Sequence, residues 1–193
     1  MDNLRSFFYS GWEHIVDIQA YDHLLFVMML CAAFKMTQWR QVIIIITAFT
    51  IGHSGALLLS ALDIIPSNSK LIETLIPFTI MITAVINVIH YEKRGKFSDT
   101  KIKYGIALVF GLIHGLAFAS GFKFMLFGDS IVIPLFLFNL GIEVGQLFVI
   151  LLFMMLLWLY TNIIKGEHHK WNLFVSGAGF GIATTIFLNA LYT

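Results

Sequence analysis

Long apolar segments, separated by short polar stretches, take up most of this chain and leave little room for a soluble fold. A helix needs about 20 mostly apolar residues to cross the hydrocarbon core of a bilayer. The apolar segments reach that length, and only 12% of the 193 residues are charged, which is about half the fraction usual in soluble domains. We therefore predict an all-α, polytopic membrane protein, with one membrane domain over residues 1–193 and no separate soluble module.

The apolar segments predict about six transmembrane helices in one compact bundle. The predicted spans are residues 22–33, 42–62, 71–90, 102–120, 131–160 and 173–191. Residues 1–19 lack the apolar core and the small-residue cleavage site of a secretory signal peptide. They predict a short amphipathic helix at the membrane interface, with Phe7, Phe8, Trp12 and Ile15 toward lipid or the bundle.

Basic residues are concentrated in three loops, and this predicts the orientation. Lys35 and Arg40 lie between the first two spans, five basic residues lie in 91–103, and Lys165 and Lys170 precede the last span. Loops rich in Lys and Arg stay on the cytoplasmic side. We therefore expect a multi-pass protein of a bacterial inner membrane with both termini outside.

Composition argues against several other classes of function. The net charge is only +1 and no basic stripe with interleaved aromatic residues occurs, so no nucleic-acid partner is expected. The lone cysteine, Cys31, supports neither a disulfide framework nor a cysteine zinc site. Membrane lipid is the expected surrounding. The sequence leaves open whether the chain forms a homo-oligomer or binds a partner membrane protein.

Histidine and acidic side chains inside the predicted spans are the strongest functional signal. Ionisable groups are costly at membrane depth and usually face a bundle interior or a cavity. If both termini are outside, the histidines and acidic residues on the spans lie in the outer half of the membrane or near its midplane, apart from His90. Imidazole and carboxylate ligands without thiolate suit Ni²⁺, Co²⁺ or Zn²⁺. We therefore predict a divalent-metal site made of His14, Asp22, His23, His53, His114 and Glu143.

Other polar residues are predicted to orient these ligands. His114 and Glu143 each lie between two glycines four positions apart, a spacing that lets helices approach closely. A carboxylate or amide beside an imidazole would fix its orientation. The supporting residues that we predict are Asn139, Gln146, Ser54 and Glu73. Glu73 has an alternative role as a first-turn charge on a helix dipole.

Four motifs occur in order along the chain. They are GWEH at 11–14 leading to YDHLLF at 21–26, FTIGHS at 49–54, FGLIHGLAF at 110–118 and FNLGIEVGQ at 138–146. Together they resemble the HupE/UreJ family of small bacterial membrane proteins, in a divergent branch. Characterised members of that family are regarded as nickel or cobalt permeases that need an N-terminal His and an Asp-His pair for uptake. His14, Asp22 and His23 match that motif in kind, although seven residues separate His14 from Asp22, where the permeases have a tighter interval.

Three functions are compatible with these residues. The first is a permease for nickel, cobalt or zinc, which captures the ion at its outer face with His14, Asp22 and His23 and passes it inward. The second is an intramembrane zinc-dependent hydrolase acting on a lipid or lipoprotein, with Glu143 as general base. The third is a structural membrane subunit whose polar groups only fix helix packing. The permease is the leading hypothesis, and the hydrolase and the structural subunit are the alternatives. The small number of polar groups in the inner half is the weak point of the permease and the argument for the hydrolase.

Overall fold

The computed structural model describes residues 2–18, 21–65, 69–92, 100–126 and 130–192, which form helices joined by turns. A 3₁₀ turn, Met36–Gln38, precedes the third helix, and a π-helical turn, Leu159–Ile163, extends the sixth. The helices are α1 Asp2–Val16, α2 Tyr21–Ala32, α3 Trp39–Ala61, α4 Ser69–Glu92, α5 Thr100–Met125, α6 Val132–Trp158 and α7 His168–Tyr192. Much of the predicted basic loop, residues 93–99, and the side chain of His90 lie outside this description.

In the part of the chain that the structure describes, five segments are long and apolar enough to cross a membrane. They are Met36–Ala61, Lys70–Ile89, Lys101–Met125, Val132–Ile163 and His168–Tyr192. A sixth span is formed if α1 and α2, which are bent by 70° relative to each other, are counted as one broken crossing. The structure thus confirms an all-helical bundle of about six spans, and the short first span of the sequence prediction corresponds to α2.

Glycines bring the backbones of α3 and α5 into direct contact. A Cβ atom added to Gly52 would lie 2.1 Å from the carbonyl oxygen of Leu108, and one added to Gly111 would lie 2.1 Å from that of Phe49. Farther along both helices, Gly115 packs against His53. Because the contacts advance in the same direction on both helices, α3 and α5 run parallel. Small residues four positions apart permit this close crossing.

A second glycine crossing joins α1 to α6. A Cβ atom on Gly11 would lie 2.0 Å from the carbonyl oxygen of Phe138, and Gly145 lies against Ile15. These contacts also advance in one direction, so α1 runs parallel to α6. Phe7 and Ile15 are buried. The apolar face predicted for the N-terminal segment therefore faces the bundle at these two residues.

The ends of three helices meet at one face of the bundle, which we call the basic face. The Lys103 ammonium lies 4.7 Å from the centre of the Phe34 ring, and His168 Nε2 donates to the Phe34 carbonyl oxygen at 3.0 Å. Residues 34, 103 and 168 follow α2, begin α5 and begin α7 respectively. At the opposite ends of α3 and α5, Lys123 pairs with Asp63. The far ends of these helices therefore define the opposite face.

Candidate metal centre

Three imidazoles from α1, α2 and α3 meet inside the bundle. One nitrogen from each of His14, His23 and His53 lies within 4.8 Å of the other two. The ring centroid of His14 lies 4.4 Å from that of His23 and 5.7 Å from that of His53. Nitrogen ligands lie about 2.0–2.1 Å from a bound Zn²⁺, so they are about 3–4 Å from one another. Side-chain movements that shift each nitrogen by about 1 Å would bring them to that distance.

His114, on α5, brings a fourth imidazole to the group. Its ring centroid lies 5.4 Å from that of His23. Its Nε2 lies 3.0 Å from Thr79 Oγ1, and that hydroxyl donates to the Ile76 carbonyl oxygen at 2.7 Å. Because the hydroxyl proton is directed at Ile76, we assign the imidazole proton to Nε2, which donates to Thr79. The lone pair of His114 is then on Nδ1.

Asp22 holds the His23 ring in place. Asp22 Oδ1 accepts from His23 Nδ1 at 3.0 Å and from the His23 backbone nitrogen at 2.9 Å. This pairing places the imidazole proton on Nδ1 and leaves the lone pair on Nε2. Metal-ligating histidines are commonly oriented by a carboxylate in this way. Asp22, which the sequence predicted as a ligand, is therefore placed to orient a ligand.

The nitrogens of this imidazole cluster (His14, His23, His53 and His114) are the buried atoms that would bind an ion. Among the described residues no hydrogen-bond partner is found for His14 Nε2, His23 Nε2, His114 Nδ1 or either ring nitrogen of His53. A buried polar atom without a partner costs about 1–3 kcal/mol, so several in one place call for an explanation. Unpartnered imidazole nitrogens gathered in one place are the donor set that a divalent transition-metal ion takes.

Aromatic rings enclose the cluster. His14 lies 4.2 Å from Phe118 and His114 lies 4.5 Å from Phe26, measured between ring centroids. Phe49, on α3, lies 5.3 Å from His114. The side chains of His53 and His114 are fully buried. This apolar shell excludes water, so an ion at the cluster would exchange hydration for imidazole nitrogen.

The glycine crossings explain why the imidazoles converge. His53 follows Gly52 directly, and His114 lies between Gly111 and Gly115 at the α3–α5 crossing. His14 lies three residues after Gly11, where α1 crosses α6. A side chain near a crossing point is held close to the neighbouring helix, since no bulky group separates the two backbones.

Glu143 contacts a different part of α3. Its Oε1 accepts from Thr47 Oγ1 at 2.7 Å, whereas its buried Oε2 has no partner among the described residues. Thr47 precedes His53 by six residues, which is about 9 Å along a helix axis. One turn farther along each helix, Thr50 Oγ1 donates to Gln146 Oε1 at 2.9 Å. The structure therefore groups Glu143 with Gln146 in an α3–α6 contact beside the cluster.

The other predicted supporting residues make different contacts. Asn139 Nδ2 donates to the Leu135 carbonyl oxygen and Ser54 Oγ to the Thr50 carbonyl oxygen, each at 2.7 Å. Both bonds stay within one helix. Glu73 lines a cavity that it shares with Asp22. Thr79, which the sequence analysis did not assign to the site, is the polar partner of His114.

Replacing Asp22 by asparagine is expected to weaken metal binding about 10- to 100-fold, as loss of a carboxylate partner does at other histidine sites. The amide retains an oxygen but loses the charge that supports His23. Glu13, which is exposed on α1, provides a matched control as Glu13→Gln. Titration of purified protein with Co²⁺ or Ni²⁺ measures both affinities. Equal affinity in Asp22→Asn and wild type would contradict the orienting role.

The sequence of the whole chain was compared with known proteins, solved structures and protein families. No curated protein and no solved structure matches it significantly. The family model described as HupE / UreJ protein matches residues 1–190, which is essentially the full sequence and includes every histidine of the cluster. The chain therefore belongs to the HupE/UreJ family.

Proposed function

We propose that this protein is a membrane permease for a divalent transition-metal cation, and that the imidazole cluster is its ion site. The observation that carries the proposal is the meeting of His14, His23 and His53, whose ligand nitrogens lie within 4.8 Å of one another. The HupE/UreJ family is associated with nickel and cobalt transport, which makes these two ions the first candidates. Zinc prefers the same neutral nitrogen donors and is the third.

A polar stripe on α4 supports onward passage from the cluster. Thr79 bonds to His114, Thr83 Oγ1 donates to the Thr79 carbonyl oxygen at 2.8 Å, and Asn87 follows one turn later. Thr83 and Asn87 also line a cavity of about 50 Å³ that reaches Lys103 at the basic face. These groups form a discontinuous line of oxygen and amide groups from the cluster toward that face.

The α2–α4–α7 contact adds rigidity beside this line. Asn87 Nδ2 donates to the Met29 carbonyl oxygen at 2.7 Å, and Asn172 Nδ2 donates to the Asn87 carbonyl oxygen at 2.9 Å. The Asn87 side chain is thus held by α2, so its role in packing is established by these bonds. A passing ion would use the cavity next to Asn87 without breaking them.

The position of Glu143 favours a permease over a hydrolase. A metal-dependent hydrolase needs its general base beside the water that the ion activates. Glu143 instead accepts from Thr47, about 9 Å along α3 from His53. A permease does not need a carboxylate beside its ion site. Glu143 lies on the basic-face side of His53, where its charge would attract a cation that leaves the imidazoles.

We further propose that the protein lies in the inner membrane of a bacterium with its basic face in the cytoplasm. Lys103 and His168 lie at that face, and Lys35 follows Phe34 there in sequence. Retention of basic loops in the cytoplasm supports this orientation. Both termini would then be outside.

Uptake into proteoliposomes tests the permease directly. Vesicles that contain the wild-type protein and an internal metal-sensitive dye are expected to take up Ni²⁺ or Co²⁺ from outside. Glu143→Gln should reduce the uptake rate about tenfold or more while leaving the melting temperature nearly unchanged, because the amide still accepts from Thr47. Glu167→Gln, at an exposed site on the basic face, serves as the control. Stoichiometric metal binding without flux in the wild type would contradict a permease.

A further inference from the structure

A second cavity lies between α2, α4 and α7. Its volume is about 240 Å³, and its polar lining comes from Asp22, Glu73 and Asn189, while Pro77 and Ala190 contribute to its walls. No Lys or Arg occurs among the described residues that line it. The two carboxylates therefore give the cavity a negative potential, and the adjoining low-dielectric walls strengthen it.

This cavity lies toward the face opposite the basic face. Residue 168 begins α7 at the basic face, and Asn189 and Ala190 are near the other end of that helix. Glu73 lies in the second turn of α4, whose later residue Asn87 lies on the basic-face side of the cluster. The cavity is consequently at the end of the bundle from which the proposed permease would take up its ion.

Asp22 connects the cavity to the imidazole cluster. Its side chain is 28% exposed and lines the cavity, while its Oδ1 accepts from His23 Nδ1. The His23 side chain is only 6% exposed. One carboxylate is therefore shared by an open vestibule and a closed site, and an ion that reaches Asp22 is one side chain from the first imidazole.

We propose that this cavity is the entrance through which a hydrated divalent cation reaches the imidazole cluster, with Glu73 as the capture residue at its mouth. The proposal rests on the permease function given above. Glu73 raises the local concentration of the cation, Asp22 replaces part of its water shell, and the imidazole of His23 accepts it next. Glu73 contributes to the rate of arrival, whereas affinity at equilibrium belongs to the imidazoles.

The rate at which Co²⁺ binds to detergent-solubilised protein tests the capture role. Stopped-flow absorption follows the cobalt band that nitrogen ligation produces. Glu73→Gln is expected to slow binding about three- to tenfold at low salt, since it removes one charge that steers the cation, and to leave the final amplitude unchanged. The difference should shrink as salt screens the charge. Glu13→Gln, an exposed glutamate on α1, should bind at the wild-type rate. Equal rates for Glu73→Gln and wild type would overturn the capture role.

Blocking the cavity tests the route itself. The native Cys31 is buried, so a cationic methanethiosulfonate reagent reports on an introduced cysteine. Modified Ala190→Cys is expected to bind Co²⁺ at least about tenfold more slowly, because a fixed positive group fills the vestibule. Leu191→Cys, at the adjacent exposed position outside the cavity lining, should be unaffected. Unchanged binding in modified Ala190→Cys would show that the ion enters elsewhere.

The two proposals fail in different ways. If Glu73→Gln and modified Ala190→Cys both bind Co²⁺ slowly but wild-type vesicles take up no ion, the entrance is supported and the permease is refuted. Uptake by wild-type vesicles that persists at the full rate after modification of Ala190→Cys would retain the permease and refute the entrance.

Discussion

Replacing Gly111 by alanine is expected to destroy the folded protein, whereas the same replacement at Gly181 should be harmless. A Cβ atom at position 111 would lie 2.1 Å from the carbonyl oxygen of Phe49 and 3.0 Å from the backbone nitrogen of His53. Both atoms belong to the α3 backbone, so no side-chain rotation relieves the overlap. The helices would have to separate, at a cost of about 3 kcal/mol or more, the upper end for overpacked sites.

Gly181, on α7, is the matched control. Nothing lies within 4 Å of a Cβ atom added there, and alanine has a higher helix propensity than glycine by about 1 kcal/mol. Gly181→Ala should therefore keep or raise the melting temperature. The measurement is the yield and melting temperature of monodisperse protein in detergent. Similar behaviour of Gly111→Ala and Gly181→Ala would contradict the close crossing of α3 and α5.

Replacing His53 by phenylalanine is expected to lower the affinity for Ni²⁺ or Co²⁺ about 100-fold or more and to leave the fold intact. Neither ring nitrogen of His53 has a hydrogen-bond partner among the described residues, so the change leaves no polar atom newly unpaired. Phenylalanine keeps an aromatic ring beside Phe49, which already lies 6.2 Å away between centroids. Removal of an imidazole ligand should lower the affinity more than removal of an orienting partner does, which costs about 10- to 100-fold.

Isothermal titration and thermal melting measured on the same preparations separate binding from folding. His169→Phe, at the first turn of α7 on the basic face, is the control and should bind like the wild type. A His53→Phe protein that binds the ion normally would remove His53 from the site. A protein that neither folds nor binds would contradict the expectation that His53 serves binding and not folding.

The convergence of histidines was predictable because the apolar segments and the basic loops together fix depth. Once the segments are arranged as alternating spans, His23, His53 and His114 fall in one half of the membrane, and the structure brings their rings into one cluster. The glycines on either side of His114 were a further signal, since close crossings shorten the distance between facing side chains.

Rotation of each helix about its own axis was not predictable in the same way. Most residues of helix α6 are apolar, and the few polar ones, Asn139, Glu143 and Gln146, do not show from sequence which neighbouring helix they meet. As a result Glu143, expected at the metal, instead bonds to Thr47. Thr79 was missed for a related reason: a threonine one turn from Thr83 is typical of ordinary helix packing, and only its contact with His114 assigns it to the site.

The ligands of a bound ion show whether the imidazole cluster is the ion site. X-ray absorption at the nickel or cobalt edge, on purified wild-type protein loaded to saturation, measures the number and type of coordinating atoms. If the imidazole cluster is the ion site, we expect one ion per chain with at least three imidazole nitrogens, at about 2.0–2.1 Å if the ion is zinc-like in size. An ion coordinated only by oxygen atoms, or no stoichiometric ion, would contradict it.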